Sequence, residues 1–281
     1  MMTIDIICPL YNAEKDIEEL DRTIKMQKNV QLNKVKYVLT EGKDNTEKKL
    51  KKLNLEYQKI KKEEFSHSRT REKAAFDSKA DIIVFITQDV KIKRDDWLYF
   101  LTKDIENGTV DACYSRQLCD NNTIEKYTRE CNYPVVSKIV SKDDISKLGL
   151  KTFFFSDASS AIKRETFVNL NGYDNKNLVI SEDMYIAYKL IMNDYKIKYC
   201  ADSEVVHSHE FTLKQYYNRY KDTGKFFKEN NYLNAYKVNQ TGGSLAMYIL
   251  KRALQDKNWK VLVQYIPNMT ARFVGMKIGK I

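Results

Sequence analysis

Over the first 210 residues, short apolar runs rich in β-branched side chains alternate with longer stretches whose apolar positions recur every three or four residues. That is the pattern of parallel strands joined by helical crossovers. Residues 4–9, 35–39, 55–60 and 82–87 read as strands. Ile17, Leu20 and Ile24 mark a helix over about 13–27, Ser66 stands where it can cap a helix running to about residue 79, and 97–105 reads as a further helix. From 112 to 149 the pattern breaks into polar loops, with a capped helix expected from Ser141. A strand-like 152–155 follows, then helices over 165–170 and 182–193 around the turn Asn171-Gly172, then two short strands, 197–200 and 204–207. Beyond Phe211 the sequence is aromatic, basic and helical, with Pro267 expected to interrupt the last stretch. The whole predicts an α/β fold with a C-terminal helical extension, the boundary falling within 210–240.

Composition narrows this picture. A length of 281 residues accommodates one large α/β domain and a smaller helical appendage. No stretch approaches the ~20 apolar residues of a membrane span. The start carries no basic leader, and five scattered cysteines form no Cys-x-x-Cys, so neither a disulfide framework nor a zinc site is expected and a cytoplasmic location is. The net charge of +10 lies wholly in residues 211–281, with 13 Lys and Arg against 3 Asp and Glu, leaving the body balanced. An anionic partner for the tail follows. Trp259, Leu262, Val263 and Ile266 recur at helical spacing with Lys257, Lys260, Arg272, Lys277 and Lys280 around them, a pattern suited to the surface of an anionic membrane. A helix packed on the body, or a contact between copies in a homo-oligomer, suits it equally. Tyr216, Tyr217, Tyr220, Phe226 and Phe227 among basic residues raise nucleic-acid binding as a rival, against which the neutral body argues. With nine glycines, no Gly-x-Gly-x-x-Gly, no P-loop and no Gly-x-Ser-x-Gly, dinucleotide, ATP and serine-hydrolase readings lack support.

Candidate chemistry gathers at a few points. Asp89 emerges beyond the fourth strand, where parallel sheets present ligands, and suits a metal or phosphate contact. Glu182 and Asp183 stand together at a helix start, where backbone N–H groups are expected to favour their ionised forms; either can line the rim and accept a hydroxyl proton, Asp183 being the choice. His207 and His209 share one face at strand spacing. His67, Arg69 and Arg71 sit at a capped helix start fit to hold anionic oxygens.

Together these segments resemble glycosyltransferase family 2, the inverting enzymes of GT-A fold, and within it the bacterial rhamnosyltransferases of surface-polysaccharide assembly. The resemblance spans about residues 3–227. It rests on Cys8-Pro9-Leu10-Tyr11-Asn12, on Phe65 to Arg71, on Thr87-Gln88-Asp89 as a variant of the family's Asp-x-Asp, on Ser160 to Arg164 with Gly172-Tyr173-Asp174 and Glu182-Asp183, and on His207-Ser208-His209 with Thr212. It implies a Rossmann-like mixed sheet flanked by helices, with a catalytic domain over 1–230 (a nucleotide-sugar half, 1–110, and an acceptor half, 111–230) and a basic amphipathic tail over 231–281. Pro9, Tyr11, Asn12, Glu41, His67, Arg71, Gln88 and Asp89 would face the nucleotide sugar; Asp157, Ser160 and Glu182 the acceptor. Asp89, His207 and His209 would hold Mg2+ or Mn2+. The family's acidic motif after the second strand is represented here by Thr40 to Asp44, leaving base recognition to Glu41 or Asp44. The implied activity is metal-assisted single displacement with Asp183 as base. The donor favoured is dTDP-rhamnose, with a UDP-hexose as alternative, and the acceptor is a lipid-linked glycan at the inner face of the plasma membrane.

Overall fold

The computed structural model describes residues 1–236 and 241–281; residues 237–240, at the edge of the expected boundary zone, lie outside it. Eight strands form one sheet: β1 (Thr3–Leu10), β2 (Gln31–Thr40), β3 (Tyr57–Ile60), β4 (Ile82–Ile86), β5 (Ala112–Leu118), β6 (Lys138–Val140), β7 (Ser159–Lys163) and β8 (Ile197–Val206). Their order is β3-β2-β1-β4-β7-β5-β8-β6. The first four run parallel, β7 opposes both its neighbours, β5 parallels β8, and β6 closes the edge antiparallel. The mixed α/β sheet with helical extension expected from the sequence is present.

Both faces of β1 are covered. Ile4, Ile6, Cys8 and Leu10 pack with Ile17, Leu20 and Trp97 on one side, and Ile7 packs with Phe85, Phe167 and Ile186 on the other. Strands buried on both faces read as continuous apolar runs, which is why β1 and β4 stand out in the sequence.

Three expectations within the first 210 residues are corrected. The stretch 112–149 holds a central strand, β5, and a helix, Ile124–Asn132. Ser115 of β5 is buried and paired: its Oγ lies 2.7 Å from Ser159 Oγ and 2.8 Å from Ser203 Oγ, and Trp97 Nε1 donates to Ser115 and Ser159 at 3.1 Å. Hydrogen bonding removes the penalty of burying hydroxyls, and with it the apolar signal that marks a core strand. Residues 152–155 belong to a 3₁₀ turn, Gly149–Phe153, and its exit, Phe153 and Phe155 filling the core; the strand is β7. The two short strands are one, β8, whose pairing with β5 slips from Ser115↔Cys200 to Arg116↔Glu204, so that the intervening residues bulge.

Helix Leu213–Glu229 packs along Trp259–Lys280, and Thr241–Gln255 packs on Ile124–Asn132. Pro267 does not interrupt Trp259–Lys280; the proline is exposed, so the carbonyl it frees one turn earlier is open to solvent. Gly275 and Gly279 bring this helix against the backbone of Tyr217, Lys221 and Gly224, where a Cβ would collide. Arg272 is no part of an outer basic face: it is buried, with Nη2 3.3 Å from Glu125 Oε1, which also accepts from Tyr216 Oη at 2.8 Å.

Candidate active site

Beyond Ile86, the chain leaves β4 and bridges to β8, Lys91 N donating to Val206 O at 2.8 Å and Val206 N to Lys91 O at 2.9 Å. The bridge sets Asp89 against the residues that follow β8. His207 Nε2 lies 3.4 Å and His209 Nδ1 3.8 Å from Asp89 Oδ2, and the three candidate ligand atoms fall within 4.8 Å of one another. Burial lowers both histidines, His209 to about 4, so both are neutral near pH 7.

Neutrality makes the His207 tautomer readable from its neighbours. Arg129 Nη1, which only donates, approaches Gln117 Oε1 at 2.5 Å and so identifies that atom as the amide oxygen. His207 Nδ1, 2.9 Å from the same oxygen, is therefore the N–H, and Nε2 turns a lone pair toward the carboxylate. Two acceptors facing each other at 3.4 Å fit a cation between them, with Gln117 fixing the imidazole from behind. Gln117→Met is expected to weaken Mn2+ binding about 10- to 100-fold, read by titration calorimetry with a melt alongside to follow the fold.

The second group lies around Glu182–Met192. Ser181 takes a left-handed turn, φ 61°, that starts this helix with its two acids. Glu182 is buried against Arg71 Nη1 at 3.2 Å, with His67 Nδ1 4.0 Å away. Asp183, beside it, is partly exposed and accepts from Met184 N at 2.8 Å. Burial first, then the charges of Glu182 and Asp157, raise the Asp183 carboxyl well above its ordinary value. The expectation that the helix start favours an ionised Asp183 is thus overturned, because burial and the neighbouring carboxylates together outweigh the N–H groups.

Arg71, expected on the donor, is 2% exposed and spends its guanidinium on Glu182 and on the His67 carbonyl. Asp157 and Ser160, expected on the acceptor, are both buried: Ser160 Oγ donates to Asp157 Oδ1 at 2.7 Å and Tyr173 Oη to Oδ2 at 2.6 Å. These three residues support the acid pair from behind. His67 keeps 46% of its side chain exposed, and burial with the nearby Arg71 lowers it to about 4.

The turn after β1 is tied down at two points. Gln88 exchanges both amide bonds with Tyr11, whose N donates to Oε1 at 2.7 Å and whose O accepts from Nε2 at 2.9 Å; its polar atoms hold the loop. Asn12, at φ 51°, accepts from Lys43 N at 2.9 Å, and Gly42 has no room there for a Cβ. Pro9 remains half-buried, while Tyr11 is exposed with Lys62 Nζ 5.8 Å from its ring centroid. Of the two acids after β2, Asp44 is occupied by Glu14 N and by Thr46 N and Oγ1, whereas Glu41 is exposed.

Two arginines link the groups. Arg129 reaches His207, with Nη2 3.5 Å from Nδ1, and lies 5.8 Å over the ring of Tyr133, which feels the charge of Asp183. Arg219, on Leu213–Glu229, is close enough to act electrostatically on Asp183, His67 and His207 together. Its guanidinium sits 5.7 Å over Phe211, which stacks on His209, and it has no ion pair among the described residues. Sequence reasoning missed Arg219 by counting it only as tail charge; its place two turns after the His207 segment was the available signal. A concavity of about 590 Å³ between Glu19, Arg22, Lys93 and Asp96 includes none of these residues.

Comparison with known proteins places the chain in a family. The family model described as Glycosyl transferase family 2 matches residues 5–170. The chain is 32% identical to an O-antigen chain rhamnosyltransferase of Salmonella typhimurium, across 99% of this chain and 90% of that one. To its counterpart in Salmonella anatum it is 34% identical across 77% and 70%. Among solved structures it is similar to a mannosyltransferase from Pyrobaculum calidifontis in complex with GDP-Man and Mn2+, at TM-score 0.63 and 18% identity, covering 98% of this chain and 84% of that one. S. aureus TarS in complex with UDP gives TM-score 0.54 at 13% identity, covering 98% and 90%. At these identities the structures speak for the GT-A fold alone.

Proposed function

Because the chain belongs to glycosyl transferase family 2, we propose that it moves L-rhamnose from dTDP-rhamnose to a growing, lipid-linked surface polysaccharide, inverting the anomeric carbon. It is a glycosyltransferase; the sugar, acceptor and mechanism are the proposal. The observation that carries the donor is the identity with an O-antigen chain rhamnosyltransferase sustained along nearly the whole of both chains. On this reading residues 1–110 serve the donor, 111–230 the acceptor, and 231–281 form the tail.

Held by Asp89, His207 and His209, Mg2+ or Mn2+ would neutralise charge on the leaving diphosphate. The protein's own groups do the rest. Tyr11 and the exposed Glu41 flank the nucleoside, with Gln88 keeping the Tyr11 turn in place. Arg219 and His67 offer donors to anionic oxygens. Asp183, with its raised affinity for a proton, takes one from the acceptor hydroxyl as that oxygen attacks the face of the sugar opposite the diphosphate. One displacement inverts the centre.

A panel of nucleotide sugars tests the donor. In thermal-shift assays with and without Mn2+, dTDP-rhamnose is expected to raise the melting temperature only when the cation is present, by about 2.7 kcal/mol of stabilisation at a hundredfold excess over Kd. Stabilisation by a UDP-hexose with none by dTDP-rhamnose would replace this reading with the UDP-hexose one.

A further inference from the structure

Helix Trp259–Lys280 is two-faced in an unusual sense. Its inner face, Val261, Asn268, Arg272, Gly275 and Gly279, is mostly small or polar and packs on the protein. Its outer face is apolar: Trp259 is 72% exposed, Val263 78%, Ile266 73% and Phe273 64%. At 100° per residue these four fall within one narrow stripe, and Val274 lies at its edge. The preceding helix, Thr241–Gln255, likewise exposes Met247 and Leu254 on one face, with Lys251 between them. A surface helix of a globular protein normally turns its apolar stripe inward. Here close packing at the glycines holds the helix with that stripe outward.

We propose that this stripe docks on an anionic lipid bilayer, the helix lying in the plane of the interface. The charge pattern selects that occupant. The whole +10 excess of the chain resides in residues 211–281. Lys251, Lys257, Lys277 and Lys280 are exposed and have no ion pair among the described residues, and Lys277 Nζ sits 5.7 Å from the Phe273 ring centroid on the outer side. The single acidic side chain of residues 241–281, Asp256, is already engaged by Lys126, Arg252 and Tyr127. Apolar side chains fringed by unpaired lysines match a headgroup layer of negative charge. A second copy of this chain matches poorly, because a two-fold contact through the stripe would set the lysines of both copies against each other. No helix among the described residues is long and apolar enough to cross the bilayer, so contact is with its surface. The inference rests on this helix and its charge, and is independent of which sugar is transferred.

The chain's two tryptophans make the test direct: Trp97 is fully buried, so a change in emission on adding vesicles reports Trp259. The full chain is mixed, with no nucleotide sugar present, with vesicles of phosphatidylglycerol and phosphatidylethanolamine or of phosphatidylcholine alone. The expected result is a blue shift and co-sedimentation with the anionic vesicles, both weakened about tenfold by 0.5 M salt, since exposed charges are screened at that ionic strength. The double variant Val263→Glu, Ile266→Glu changes only exposed side chains and is expected to keep the wild-type melt while losing vesicle binding by about 10²-fold or more. Absence of a shift with anionic vesicles overturns the proposal. So does a wild-type dimer in sedimentation equilibrium that the same double variant dissociates, since the stripe would then belong to a second copy.

Discussion

Asp183→Asn is expected to lower sugar transfer by about 10²- to 10⁴-fold, the range that a positioned general base contributes, while leaving donor binding unchanged. The substitution is nearly isosteric and keeps an oxygen for Met184 N, the contact that seats the side chain in the first helical turn. It also removes one of three crowded carboxylates, since Glu182 and Asp157 already raise the Asp183 carboxyl. Relief of that crowding predicts a melting temperature at neutral pH no lower than wild type, which separates lost chemistry from lost fold. The readouts are transfer from labelled donor, the thermal shift given by the donor, and the melt. A variant with near-normal turnover would remove Asp183 from the role of base.

The same contact predicts the pH dependence. Only an ionised carboxylate accepts the proton, so the wild-type rate falls as pH drops through the Asp183 pKa. Because burial and the adjacent acids raise that pKa, the acidic limb lies above the ordinary carboxylate range. Glu182 and Asp183 are adjacent, so the limb reports the pair. In Asp183→Asn the limb disappears along with the activity.

How much of this was legible in the sequence depends on what each residue is bonded to. β1 and β4 declare themselves because both their faces are apolar. β5 and β7 do not, because their hydroxyls meet one another inside the sheet, and such pairing leaves no mark on a linear pattern. In the site, Asp89, His207, His209 and Asp183 were singled out by type and order; the structure brings the first three within 4.8 Å of one another and sets Asp183 beside Glu182 at the helix start. Arg71, Asp157 and Ser160 were found in the same way but misplaced, since a polar residue in a motif reads alike whether it touches a ligand or holds the residue that does. The buried bonds from Arg71 to Glu182 and from Tyr173 to Asp157 distinguish the two cases, and only coordinates supply them. Arg219 and Gln117 escaped because each matters through residues far away in the chain.

Asp89→Asn is the second change with a large expected effect. The carboxylate is the only negative ligand of the three, and His207 and His209 are neutral near pH 7, so all the anionic character of the candidate cation site rests on one side chain. Replacing it by an amide keeps the volume, and the bridge between Lys91 and Val206 that positions it is made by backbone atoms, so the sheet should be untouched. Loss of a cation that stabilises charge on a leaving diphosphate removes several kcal/mol from the transition state, and about 4 kcal/mol corresponds to roughly 10³-fold in kcat/KM. Two measurements bear on this: Mn2+ binding by calorimetry, expected to vanish, and the thermal shift from nucleoside diphosphate, expected to lose its dependence on the cation. Wild-type activity should fall to a similar residual level in EDTA and return with Mn2+, whereas the variant should respond to neither. Retention of Mn2+ binding in Asp89→Asn would assign the cation to other ligands, and a wild-type enzyme indifferent to EDTA would remove the cation from the mechanism.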